Sequence, residues 1–209
     1  MRVKICGITD LTQATEIASL GATALGFICV RKSPRYVSPP QIAAITKALS
    51  GVDTIGVFAD AEIESIVATV MQTHITGVQL HGTESVSYCQ ELRSLLPNTE
   101  LIKAFRVKDS QTLAETAAYS QNVDTLLLDA YHPQMLGGTG HTLNWQSLQF
   151  APDLPWLLAG GLNPDNVITA IKQLHPDGID LSSGVERSPG TKDLKKVKEL
   201  FTALKKISA

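Results

Sequence analysis

Residues 156–184 read WLLAGGLNPDNVITAIKQLHPDGIDLSSG, and this stretch decides the fold. It opens on a short apolar run at 156–159 and closes on another at 178–181. Between them, Asn163, Pro164 and Asp165 form a helix-start signal: a capping side chain, then a proline in the first turn, where its missing N–H costs nothing. Strand, crossover helix and strand make a βαβ unit, whose two strands pair in parallel.

Working outward, six more runs of the same kind lie at 3–6, 24–30, 54–58, 77–80, 101–105 and 125–129. They are continuously apolar instead of alternating, as strands covered on both faces are. The intervening segments carry apolar residues three and four apart, as in Ile63, Ile66, Val67 and Val70, or Leu194, Val197, Phe201 and Leu204. Gly21 is placed to close the first helix, and Asp60 to cap the helix that follows Phe58. Eight strand–helix repeats in 209 residues predict one α/β domain over residues 1–209, a single (β/α)8 TIM barrel. An open doubly wound sheet is the alternative. No GxGxxG follows the first strand and no Walker lysine motif occurs, which weakens its nucleotide-binding form.

Composition narrows the function. Eighteen Lys and Arg against twenty Asp and Glu give a net charge of -2, so no global positive field draws the chain to nucleic acid. No apolar run reaches the roughly 18 to 20 residues that span a bilayer, and residues 1–7 lack the apolar core of a secretion signal. The expectation is a cytoplasmic protein with no membrane partner. Three cysteines, Cys6, Cys29 and Cys89, lack the paired spacing of a zinc or redox site. Cys29 and Cys89 read as packed thiols inside a strand and a helix, and the six lysines from Lys192 to Lys206 as the wet face of the last helix.

A barrel of this kind builds its active site at the C-terminal strand ends. Those ends bring together Cys6, Arg35, His81 and Asp129. Gly160 and Gly161 after strand seven, with Ser182, Ser183 and Gly184 after strand eight, match the phosphate cup that barrels form there from backbone N–H groups and hydroxyls. Cys6 reads equally as a small core filler or as a thiol tuned by nearby positive charge. Asp129 ends the run Leu126-Leu127-Leu128, where a carboxylate is costly without a partner or a task. The glycine-rich segment Gly137-Gly138-Thr139-Gly140-His141 suits close backbone approach to a ligand. His132 and His141 lack the pairing that a metal site requires.

These strand ends together resemble the phosphoribosylanthranilate isomerase family. The matching stretches are Lys4-Ile5-Cys6-Gly7-Ile8, Ser33-Pro34-Arg35-Tyr36-Val37, Val78-Gln79-Leu80-His81-Gly82, Leu128-Asp129-Ala130, Gly137-Gly138-Thr139-Gly140, Ala159-Gly160-Gly161-Leu162, Asp180-Leu181-Ser182-Ser183-Gly184-Val185-Glu186 and Gly190-Thr191-Lys192-Asp193, in the family's order. The resemblance implies an aldose-to-ketose isomerisation of N-(5'-phosphoribosyl)anthranilate in tryptophan biosynthesis, without cofactor or metal. It implies Cys6 as general base, Asp129 as general acid and Arg35 as partner of the anthranilate group. His81 and Asp180 become substrate contacts by the same resemblance. The expected partner is a small phosphosugar, and the expected assembly a monomer or homodimer. Another phosphosugar barrel enzyme, or a silent phosphosugar-binding barrel, is the rival reading.

Overall fold

The computed structural model describes residues 1–107, 109–129 and 152–206. Eight parallel strands close into a barrel in sequence order: β1 (Arg2–Cys6), β2 (Ala24–Ile28), β3 (Asp53–Phe58), β4 (Gly77–Leu80), β5 (Glu100–Arg106), β6 (Thr125–Asp129), β7 (Trp156–Ala159) and β8 (Gly178–Leu181). The open-sheet alternative is excluded by the β1–β8 pairing, in which Lys4 stands opposite Asp180. Four strands have the bounds that the sequence predicts. β2 is shorter, ending at Ile28, so Cys29 lies just beyond the strand, although its N–H still donates to the Val57 carbonyl at 2.9 Å.

Seven α-helices are described around the barrel: α1 (Leu11–Leu20), α2 (Pro39–Ala48), α3 (Ile63–Thr73), α4 (Val86–Leu95), α5 (Ser110–Glu115), α6 (Val167–Leu174) and α7 (Leu194–Lys205). Their apolar stripes bury Ile66 and Val70 of α3 and Val197, Phe201 and Leu204 of α7. Strand pleating divides the core in two. Outward-facing residues such as Val3, Ile5, Val78 and Leu80 pack beneath the helices, whereas Ala24, Ile55, Ile102, Leu127 and Leu157 fill the barrel itself. Arg2 closes the N-terminal end of the barrel, bonded to Glu100 at 2.5 and 2.7 Å and to Asp53 at 2.9 Å. The C-terminal end is therefore the one left for a site.

Gly21 ends α1 in the left-handed conformation, at φ 119°, which glycine adopts without strain. Two capping expectations change. α6 begins at Val167, because residues 163–166 form a turn in which the Asn163 side chain accepts from the Asp165 and Asn166 N–H groups, and Asn166 accepts from the Asn163 N–H. Asp60 is not a cap: Glu62 holds that position, and Asp60 instead accepts from the Thr83 N–H and hydroxyl at 2.6 and 2.9 Å, tying the loop after β3 to the loop after β4. A short hairpin of β9 (Glu186–Ser188) and β10 (Thr191–Lys192) precedes α7. Residues 130–151, with the glycine-rich segment, His132 and His141, lie outside the described residues. No helix among the described residues is long and apolar enough to cross a membrane.

Candidate active site

The C-terminal strand ends enclose a cavity of about 280 Å3. Cys6, Arg35, His81, Asp129, Gly160, Gly161, Asp180, Ser182, Ser183 and Gly184 all line it. Cys6 and Asp129 end β1 and β6, with β7 and β8 between them on one side and four strands on the other, so they face each other across the mouth.

Cys6 occupies the barrel interior because its register partner on β2 is Gly26. A Cβ at Gly26 would lie 2.7 Å from the Cys6 sulfur, so only glycine leaves the thiol its space. Two residues back, on the same face of β1, Lys4 is fully buried and its ammonium donates to Asp180 Oδ1 at 3.0 Å. Burial pushes the Cys6 thiol up; Lys4 opposes that shift, Asp180 adds to it and Lys192 opposes it again, with a net upward direction. Lys4 stays charged, since Asp180 and Cys6 outweigh its burial. Among the described residues, no group of three or more His, Cys, Asp or Glu could hold a metal ion.

Next to this pair lies a second buried cluster. Glu186 accepts from Arg35 Nε at 2.9 Å, from Arg35 Nη2 at 2.7 Å and from Lys192 Nζ at 2.8 Å. Burial alone would raise the Glu186 carboxyl, but these two cations and the Gly190 N–H hold it below its usual range. Lys192 is 1% exposed, which corrects its assignment to the wet face of the last helix. It belongs to β10, bonds the Ser182 carbonyl at 3.2 Å and is pushed down by its burial despite Glu186. Of the lysines after it, Lys195, Lys198, Lys205 and Lys206 are exposed and fit the solvated reading, whereas Lys196 is half-buried and donates to the Glu186 carbonyl at 3.1 Å. Of the other thiols, Cys89 is buried in α4, its value raised to about 11, while burial raises Cys29 to about 12.

The two loops after β7 and β8 meet across the cavity floor. Gly184 packs against Leu162, whose carbonyl oxygen would sit 1.9 Å from an added Cβ. Gly160 and Gly161 have φ of 100° and 65°, and nothing lies within 4 Å of a Cβ built on Gly161, so its backbone borders open space. An anion there would meet backbone and serine hydroxyl, with Lys192 one bond behind Ser182.

On the opposite wall, Asp129 Oδ2 stands 3.8 Å from His81 Nε2, with side-chain exposures of 21% and 25%. The other ring nitrogen of His81, Nδ1, is 2.9 Å from the amide nitrogen of Gln79. The backbone at His81 is held by hydrogen bonds. Its N–H donates to the Phe58 carbonyl at 2.8 Å, and the loop that follows is pinned by Glu84, which accepts from the Gly82 N–H and from Lys103 at 2.9 Å.

This arrangement joins a thiol, a carboxylate and two glycine–serine loops in one cavity. The chain matches the family model for N-(5'phosphoribosyl)anthranilate (PRA) isomerase over residues 3–203. The chain belongs to that family. It is 62% identical over 211 residues to the N-(5'-phosphoribosyl)anthranilate isomerase of Rippkaea orientalis, covering 100% of this chain and 98% of the relative. The crystal structure of phosphoribosyl anthranilate isomerase from Thermotoga maritima superimposes with a TM-score of 0.87 at 36% identity, over 99% of both chains. A further family structure, in complex with reduced 1-(o-carboxyphenylamino)-1-deoxyribulose 5-phosphate, has a TM-score of 0.82 at 33% identity over 99% of both chains.

Sequence reasoning assigned no site role to four polar residues at or beside this isomerase-family cavity, although all four fall in the matching stretches: Lys4, Gln79, Glu186 and Lys192. For Lys4 and Gln79 a signal existed. Each interrupts an otherwise apolar parallel strand, two residues before Cys6 and two before His81, and so shares the inward face with those residues or lies directly beneath the mouth. Glu186 and Lys192 fall in a hairpin too short for any alternation to show.

Proposed function

We propose that this chain isomerises N-(5'-phosphoribosyl)anthranilate to 1-(2-carboxyphenylamino)-1-deoxyribulose 5-phosphate, an Amadori rearrangement in tryptophan biosynthesis, as a single catalytic domain over residues 1–209. The observation that carries the reading is the pairing of Cys6 and Asp129 across one cavity whose floor is the Gly160-Gly161 and Ser182-Ser183-Gly184 cradle. A product analogue bound to a family member of the same fold adds to it.

In this reading the cradle holds the 5'-phosphate and fixes the sugar between acid and base. Asp129, in its acid form, protonates the furanose ring oxygen. The C1–O bond breaks, and the nitrogen lone pair forms the protonated Schiff base. The Cys6 thiolate removes the proton from C2, and those electrons form the C1=C2 bond of an enolamine while the nitrogen regains its lone pair. Loss of the enol proton and protonation at C1 give the ketone. Every step is a proton transfer, so an acid and a base of opposite charge demand suffice. Lys4, buried beneath the thiol, favours its ionised form, and Asp180 holds Lys4 in place. Arg35, fixed by Glu186, presents its remaining N–H donors toward the anthranilate carboxylate, and His81 and Asp180 contact the sugar.

The substrate is a small molecule, and all ten residues come from one chain, so a monomer or a homodimer would serve. We place the enzyme in the cytoplasm. The test is direct: purified protein mixed with freshly formed phosphoribosylanthranilate should abolish the anthranilate-type fluorescence catalytically. Fluorescence that persists at high protein concentration would reject the assignment.

A further inference from the structure

Gln79 ends the barrel-facing side of β4 and is 1% exposed. Its register partners are Val57 and Ile102, both apolar, so neither neighbouring strand offers it a side-chain hydrogen bond. Its amide nitrogen lies 2.9 Å from His81 Nδ1, but its amide oxygen is buried without any partner. A glutamine kept for structure alone would satisfy both amide atoms, because an orphaned buried acceptor costs free energy that an apolar side chain of the same length avoids. The one bond it makes leads to His81, and through His81 to Asp129.

The direction of that bond matters. When the Gln79 amide donates to Nδ1, the proton of the neutral imidazole sits on Nε2 and points at Asp129 Oδ2. With the amide reversed, the proton would sit on Nδ1, and a bare Nε2 lone pair would face the carboxylate oxygen. Once Asp129 has given up its proton, two acceptors would then oppose each other. The donating orientation avoids this conflict and leaves the orphan on the oxygen, as observed.

We infer that Gln79 is a positioning residue that fixes the Nε2–H tautomer of His81, so that a donor waits for the negative charge that forms on Asp129 as the ring opens. The inference rests on Asp129 being the acid. His81 Nε2 at 3.8 Å is beyond hydrogen-bond length and tightens as the carboxylate charge develops, so the contact is worth more after proton transfer than before it. That difference enters kcat and leaves substrate binding alone.

The test uses the full chain with 15N-labelled histidine, recording the imidazole nitrogen shifts at a pH where the ring is neutral, with the His81 signals assigned by their loss in His81→Asn. Wild type should show the Nε2–H tautomer. Gln79→Glu, isosteric but accepting only, should move the proton to Nδ1 or produce the imidazolium, and Gln79→Met should give a tautomer mixture. Gln79→Met carries the same comparison if Gln79→Glu fails to fold. Both variants should lower kcat by roughly tenfold, a fraction of what the complete acid supplies, with KM within about twofold. An Nδ1–H tautomer in wild type, or a tautomer unchanged in both variants, would overturn the inference whatever the activities. Wild-type turnover in Asp129→Asn would instead remove the acid assignment while leaving the tautomer result intact.

Discussion

The two walls of the cavity are built on different principles. On the wall of β1 and β8, Lys4, Asp180, Arg35, Glu186 and Lys192 form two neighbouring ion-pair clusters with contacts of 2.7–3.0 Å, nearly all of them out of water. On the wall of β4 and β6, His81 faces Asp129 at 3.8 Å and rests on one neutral hydrogen bond from Gln79. The difference follows the chemistry that the proposed mechanism assigns to each wall. A buried thiol must be coaxed into an anion, which takes fixed positive charge nearby. In the same mechanism, a donor at His81 serves the negative charge that forms on Asp129 as its proton leaves.

The sharpest way to break this comparison is at the acid. Asp129→Asn keeps a hydrogen-bonding side chain but has no carboxylic proton, so kcat should fall by about 10² to 10⁴ while KM stays within a few-fold. Steady-state kinetics with the fluorescence assay would measure it, and wild-type turnover across the pH range would shift the acid role to His81.

Next in size is Glu186→Gln. It leaves Arg35 and Lys192 without their shared anion but retains one acceptor, so the protein should lose about 2 kcal/mol in urea denaturation. The sign of its pH dependence is fixed. Because the folded carboxyl lies below its ordinary 4.5, its stabilisation is present above that pH and lost as the pH falls through the folded value. The variant should therefore lose less stability than wild type on acidification below about pH 4.5. Equal acid sensitivity of the two proteins would mean that the clamp does not stabilise the fold.

The smallest of these effects sharpens the base side. Lys4→Met removes the largest charge opposing the burial of Cys6, so the rise of kcat/KM with pH should move upward by about one unit. A pH profile that overlays wild type would show that the thiol is not tuned from beneath.

Much of this was legible in the sequence because parallel strands covered on both faces write themselves as unbroken apolar runs, and because a barrel's chemistry sits where those runs end. Cys6, His81 and Asp129 each lie at or next to such an end. The strands' lower polar residues were less legible. Lys4 needs Asp180 across a closed barrel 176 positions away, and no window of sequence displays that register. Lys192 was hidden among helix lysines because Asp193, the true cap of α7, follows it directly. Asp60 looked like a cap because it follows a strand and precedes a helix, but a left-handed backbone at φ 49° turns it toward Thr83 instead. Local pattern reports the scaffold; the partners of buried charge are set by closure of the barrel.

The central claim is that the barrel separates binding from proton transfer, and its most direct test is the pair of constants kcat and KM for Cys6→Ser. Serine fills the same space beside Gly26 but is far harder to ionise. The account predicts a kcat lower by at least about two orders of magnitude, with KM near the wild-type value because the phosphate cradle is untouched. A nearly normal kcat would contradict it and leave Cys6 as a packed thiol at the end of β1.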